Sequence, residues 1–345
     1  MTGKFRYFIF CMNVPDFENE MNCYGCDLIL SATNASDEHI INNSIGGRIK
    51  SKKLLCKKCN ENFGATIDRE LEEQIGMLTD LLGIKRQRAK NNVYIRMYAD
   101  DGEMKVVGTK MKPHNKLTVH VDENTKVDLF ETGEKFDKLK NKKLRELENK
   151  LNEKVEYIES TELPNKKLFR FKNKLTDENC NIAFGGKDFF RAIAKISLNY
   201  YLRRGYERAY CKKIIEFVKG EINNDCAYFY FPSPVHYQVH DLGEGEVSHI
   251  VHLRGNVDNK ILYSYVELFN CQNVLILYDM NYTGPAINDT YAFDLLEGQP
   301  IIKEIKIKLA RHHFEILDLI SLDSGKEHEA KFIRLIKIIE KRQLS

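Results

Sequence analysis

No stretch of the sequence approaches the ~20 consecutive apolar residues that would span a bilayer. The opening Met1-Thr2-Gly3-Lys4-Phe5-Arg6 has no apolar core leading to a small-residue cleavage site, so no signal peptide is read there. Charge of one sign is also missing: 53 Lys and Arg face 50 Asp and Glu, a formal net charge of +3. A polyanionic partner must therefore be argued from local clusters. Internal repeats and low-complexity segments are absent as well. With 43% hydrophobic and 30% charged residues, the composition excludes a disordered chain, a collagen-like repeat and a bare coiled coil. The expectation is a cytoplasmic protein of about two domains without membrane attachment.

Nine cysteines are an odd number for a disulfide framework. Their spacing is more informative. Cys23 and Cys26 form one Cys-x-x-Cys pair, and Cys56 and Cys59 form a second. Two such knuckles supply the four sulfurs of a closed, tetrahedral, structural Zn²⁺ site. The other five, Cys11, Cys180, Cys211, Cys226 and Cys271, are scattered singly and read as small buried hydrophobes. A zinc with four protein ligands does no chemistry. It would hold a module whose core is too small to fold alone.

The fold class expected is α+β, in three parts. Residues 1–82 form the zinc-stabilised module, with a strand at 5–11 and a helical pattern from Asn60 in which Phe63, Ile67, Leu71, Ile75 and Leu78 recur at three- and four-residue steps. Residues 83–184 form a basic hairpin about Asp101-Gly102 and a lysine-rich helical connector over 133–158, read as a solvated face or a nucleic-acid-facing surface. Residues 185–345 form a mixed α/β domain. It has an amphipathic helix over 189–202, strands at 226–231, 247–253, 261–269 and 274–278, a turn at Arg254-Gly255-Asn256 and a closing helix over 331–339. His249 and His252, three apart on a strand, face opposite sides and give no metal pair. Nothing beyond residue 112 shows a chemical motif.

Between the two knuckles lies Asp37-Glu38-His39-Ile40-Ile41, then Gly46-Gly47, and Asn60 directly follows Cys59. A carboxylate and an amide oxygen suit a hard divalent cation such as Mg²⁺. A neutral imidazole can take a proton from water. Together these are the minimum for one-metal hydrolysis of a phosphodiester. Cys23/Cys26, Glu38-His39-Ile40-Ile41, Gly46-Gly47, Cys56/Cys59-Asn60, Phe63-Gly64 and Ile67-Asp68 resemble the HNH endonuclease family, in the four-cysteine branch of the ββα-metal nucleases. The resemblance implies that His39 is the general base and that Glu38 and Asn60 hold the catalytic Mg²⁺ or Mn²⁺. The family's middle Asn, which helps position the base, would fall near Ser51 or Lys52, and neither is an Asn. Asn42, Asn43 and Ser44 are then candidates to orient His39, while Asp68 is read as pinning its helix to the zinc module.

The resemblance implies a metal-dependent endonuclease acting on DNA, double-stranded above all, in bacterial restriction or antiviral defence. Arg48, Lys50, Lys52 and Lys53 could meet phosphates without reading sequence. A second reading is a zinc-stabilised nucleic-acid-binding or interaction module without catalysis. A third is a latent nuclease awaiting a ligand or protein partner. A single site cuts one strand, so a double-strand break would take a homodimer or sequential nicks.

Overall fold

The computed structural model describes residues 21–84, 184–232, 239–316 and 325–343, with the backbone of strands between 94 and 185 and a few helical residues between 141 and 149. The strand expected at 5–11, Cys11 and most of the lysine-rich connector lie outside the described residues. At the front stands a short hairpin, β1 (Glu38–His39) paired antiparallel with β2 (Lys50–Ser51), in register Glu38 to Ser51 and His39 to Lys50. Ile40 N–H donating to Ile49 O at 2.9 Å extends it. Its turn closes on the Asn42 carbonyl, which accepts from Ile45 N–H (3.2 Å) and Gly47 N–H (3.0 Å). A Cβ at Gly47 would sit 1.7 Å from the Ile41 carbonyl oxygen, so only glycine fits there.

Three helices follow: α1 (Lys57–Ala65), α2 (Ile67–Ile75) and α3 (Met77–Leu81). Phe63, Ile67, Leu71, Ile75 and Leu78 are all buried, as their periodicity requires. The chain bends at Thr66, whose hydroxyl donates to Asn62 O at 2.8 Å. Such a side chain competes with the backbone ladder and favours a break.

In the middle of the chain, β3 (Tyr94–Ala99) and β4 (Gly102–Val107) form the expected hairpin, with Ala99 opposite Gly102. They belong to a five-stranded sheet with β5 (Lys110–Pro113), β8 (Lys166–Lys172) and β9 (Asn179–Gly185), in the order β5-β4-β3-β9-β8. Between them, β6 (Lys116–His120) and β7 (Lys126–Phe130) pair separately.

The C-terminal half centres on a six-stranded antiparallel sheet of order β10-β13-β12-β11-β14-β15. Its strands are β10 (Ala227–Phe229), β11 (Ser248–Asn256), β12 (Ile261–Leu268), β13 (Gln272–Asp279), β14 (Ile287–Asp294) and β15 (Gln299–Ile301). The turn expected at Arg254-Gly255-Asn256 is a correction: these residues continue β11, and Lys260 N–H closes the turn on Val257 O at 3.1 Å. Gly255 serves packing instead, since a Cβ there would lie 2.8 Å from the Tyr282 ring.

Strands β14 and β15 were not foreseen, because Ile-Asn-Asp-Thr-Tyr-Ala-Phe-Asp lacks clean alternation. Nor was α5 (Lys212–Lys219). The sheet is covered by α4 (Lys187–Arg203), α5 and α6 (Gly325–Gln343). Cys211, Cys226 and Cys271 are buried free thiols, as expected.

Helix α4 is buried on nearly all sides from Phe189 to Tyr201. It packs against α2 on one side and against β10, β11, β12 and β13 on the other. One continuous hydrophobic cluster therefore runs from Cys23 through Ile67 and Ile193 to Val266 and Ile339.

His249, on β11, adds a polar tie across this junction. Its Nδ1 accepts from Phe269 N–H (3.1 Å), which leaves Nε2–H to donate to Ile45 O (2.7 Å) in the hairpin turn. Burial pushes the imidazole down to about 4 and keeps it neutral. A histidine so depressed gives its full stabilisation above the unfolded value of about 6.5 and loses it as pH falls toward 4. Urea unfolding between pH 4 and 7.5 should show wild type losing about 3 kcal/mol more than His249→Gln over that window. Parallel pH profiles for the two proteins would contradict the assignment.

Candidate active site

Cys23 and Cys26 flank a tight turn in which Asp27 N–H donates to Cys23 O at 2.8 Å. Cys56 caps α1: its Sγ accepts from Cys59 N–H at 3.5 Å. Gly25 lets the two knuckles meet, since a Cβ there would lie 2.9 Å from Cys59 Sγ. All four sulfurs lie within 4.8 Å of one another, and Cys26 Sγ is 3.7 Å from Cys56 Sγ. A tetrahedron with Zn–S bonds of 2.3 Å has an edge of about 3.8 Å. Burial first, and then the neighbouring sulfurs, push the Cys59 thiol up. Thiolates so crowded ionise together only around a cation, and the donor set suits Zn²⁺.

Strand β1 carries Glu38 and His39 in succession, and successive strand residues face opposite sides. Glu38 points inward and is 4% exposed; His39 is half-buried. Asn60 lies in the first turn of α1 and donates through Nδ2 to Ser36 Oγ at 2.5 Å, which holds the helix against the approach to β1. An amide can meet a cation only through its oxygen, here Oδ1. The zinc knuckles thus bring β1 and α1 together. Glu38, however, is engaged on the side away from His39.

What engages it comes from α4, more than 150 positions along the chain. Lys195 Nζ donates to Glu38 Oε1 and, at 3.0 Å, to Asp68 Oδ2 on α2. Lys195 is 1% exposed. Burial alone would push its ammonium down, but Asp68 and then Glu38 more than offset this and hold it above the ordinary lysine range. One helical turn on, Asn199 Nδ2 donates to Glu38 Oε1 and to the His39 carbonyl, each at 3.1 Å. Its Oδ1 accepts from the Tyr24 hydroxyl at 2.9 Å. Tyr24 sits inside the first zinc knuckle, and burial raises its phenol well above the usual range, so it acts as the donor.

The expectation for Asp68 needs correction on this point: it pins α2 to α4 rather than to the zinc knuckles. No motif beyond residue 112 marks this contact, yet α4 supplies Lys195 and Asn199 as partners of Glu38. Their signal in the sequence is polarity in the wrong place. Lys195 and Asn199 lie four apart on a helix whose neighbours Ile193, Ala194, Ile196 and Leu198 are apolar, so both fall on one inward-facing stripe.

Removing one zinc ligand tests the knuckles. Cys56→Ser should abolish stoichiometric zinc and, with several kcal/mol of folding energy lost, lower Tm by roughly 10 °C or more. Metal analysis with thermal unfolding reads both. An unchanged Tm in a metal-free variant would refute the structural role.

Residues 23–75 match the model of the HNH endonuclease family. No curated protein and no solved structure matches this chain. Among the described residues no helix is long and apolar enough to cross a membrane. Family match, four gathered sulfurs and a hairpin leading into a helix coincide in one stretch, and residues 23–75 are accordingly an HNH endonuclease module.

Proposed function

We propose that the protein is a metal-dependent endonuclease that hydrolyses phosphodiester bonds of double-stranded DNA. The observation that carries this reading is the placement of His39 on the first strand of a hairpin closed by the cysteine cluster, with Asn60 on the next helix. His39 takes a proton from water, the water oxygen forms the new bond to phosphorus, and the 3′ or 5′ oxygen leaves with a proton from solvent. A divalent cation, Mg²⁺ or Mn²⁺, supplies charge neutralisation at the scissile phosphate when bound. Asn60 Oδ1 and the Glu38 carboxylate are the protein donors assigned to it, and Lys195 and Asn199 hold Glu38 Oε1 in this structure.

Phosphate contacts beyond the scissile one fall to the basic rim of the hairpin. Lys50 lies opposite His39 in register and pairs with Asp37 at 3.3 Å, Lys52 is exposed, and Arg203 at the end of α4 donates to Lys50 O at 3.5 Å. These groups hold a backbone without reading its sequence. Defence against invading DNA is the setting the resemblance implies.

One observation favours a second, latent reading. The Lys195 ammonium sits on the carboxylate that the motif assigns to the cation. Nicking of supercoiled plasmid by the zinc-loaded chain separates the two readings. For an active enzyme, wild type cuts with Mg²⁺ or Mn²⁺ and stops with EDTA. His39→Ala then falls at least ~100-fold, in line with the usual worth of a general base, and Lys195→Met loses activity. For a latent enzyme, wild type is silent and Lys195→Met cuts. Full activity in His39→Ala would remove His39 from the mechanism.

A further inference from the structure

We propose that Asn199, on helix α4, is the positioning residue for His39, and that it does from the C-terminal half what the motif's middle asparagine does within the hairpin. The inference rests on reading His39 as the general base. On the β2 side the His39–Ile40 peptide is held by Ile40 N–H, which donates to Ile49 O at 2.9 Å. The Asn199 amide fixes that peptide from the other side, through the His39 carbonyl at 3.1 Å. A carbonyl held in place sets the plane of its peptide and, with it, the direction of the Cα–Cβ bond that aims the imidazole.

Asn199 is itself fully constrained. It is 0% exposed, both protons of Nδ2 are donated, and Oδ1 accepts from Tyr24. An amide turned the other way would set Oδ1 against two acceptors, so the orientation is determined by its neighbours. Through Tyr24 the constraint reaches the first zinc knuckle, and through Glu38 it reaches Lys195. The positions where the motif would carry its own asparagine do other work. Ser51 Oγ accepts from Lys53 N–H at 3.2 Å within its own turn, and Lys52 is exposed. Asn42, a further candidate, shapes the hairpin turn through its backbone carbonyl. Competence of the module therefore depends on a helix far outside residues 23–75.

The experiment uses the zinc-loaded full chain with ¹³C-labelled histidine, the His39 ring signal being assigned by its loss in His39→Ala. In Asn199→Leu the His39 signal should shift or broaden while the signals of His249 and His252 stay in place. Plasmid cleavage should fall ~10- to 100-fold in kcat with KM within about twofold, the size expected for misplacing a reacting group by a fraction of an ångström. Asn199→Ser, which leaves room for water beside Tyr24 and Glu38, provides the same readouts if the leucine variant does not fold. A folded variant with a wild-type His39 signal and wild-type kcat overturns the inference. If neither wild type nor Lys195→Met cuts DNA the nuclease reading fails, whereas the His39 signal still decides whether Asn199 positions it.

Discussion

A single ammonium buried between two carboxylates ties the two ends of this molecule together. Lys195 from α4 meets Glu38 from β1 and Asp68 from α2, and the lysine is almost wholly removed from water. Such a group is costly to desolvate, and the cost is offset only while both partners remain in place. Removing a partner strands a charge, typically at 3–5 kcal/mol. That penalty makes the relative placement of α4, β1 and α2 close to all-or-none. The hydrogen bonds of Asn199 and the tie from His249 to Ile45 depend on the placement so fixed.

Two devices thus divide the task of holding a hairpin with very little core of its own. The cysteine cluster fixes the end where the chain enters the hairpin and the helix leaves it. The ion pair fixes the face that looks toward the large sheet. His39 lies between them, half-buried, with its backbone carbonyl gripped by Asn199.

Local chemistry was legible in the sequence. The four cysteines, the apolar stripe from Phe63 to Leu78 and the helix expected over 189–202, observed as Lys187–Arg203, follow from spacing within a few residues. Long-range pairing was not. Nothing near Glu38 announces a lysine 157 positions away, and the motif itself argues for a cation in that place. Gly255 looked like a turn because glycine and asparagine stood together, whereas the constraint is a ring from Tyr282 on another segment. Strand β14 escaped notice because its polar residues, Asp289 among them, are satisfied by Tyr200, Arg204 and Tyr206 from elsewhere in the fold.

The coupling of Lys195 to Glu38 across the junction between the HNH module and α4 is tested most directly by a double-mutant cycle. Unfolding free energies would be measured for wild type, Glu38→Gln, Lys195→Met and the pair together. A coupling energy of about 2–3 kcal/mol, with the double variant less damaged than the sum of the singles, is the result predicted. Additive losses would show that the two groups act independently, and the account built on their pairing would be wrong.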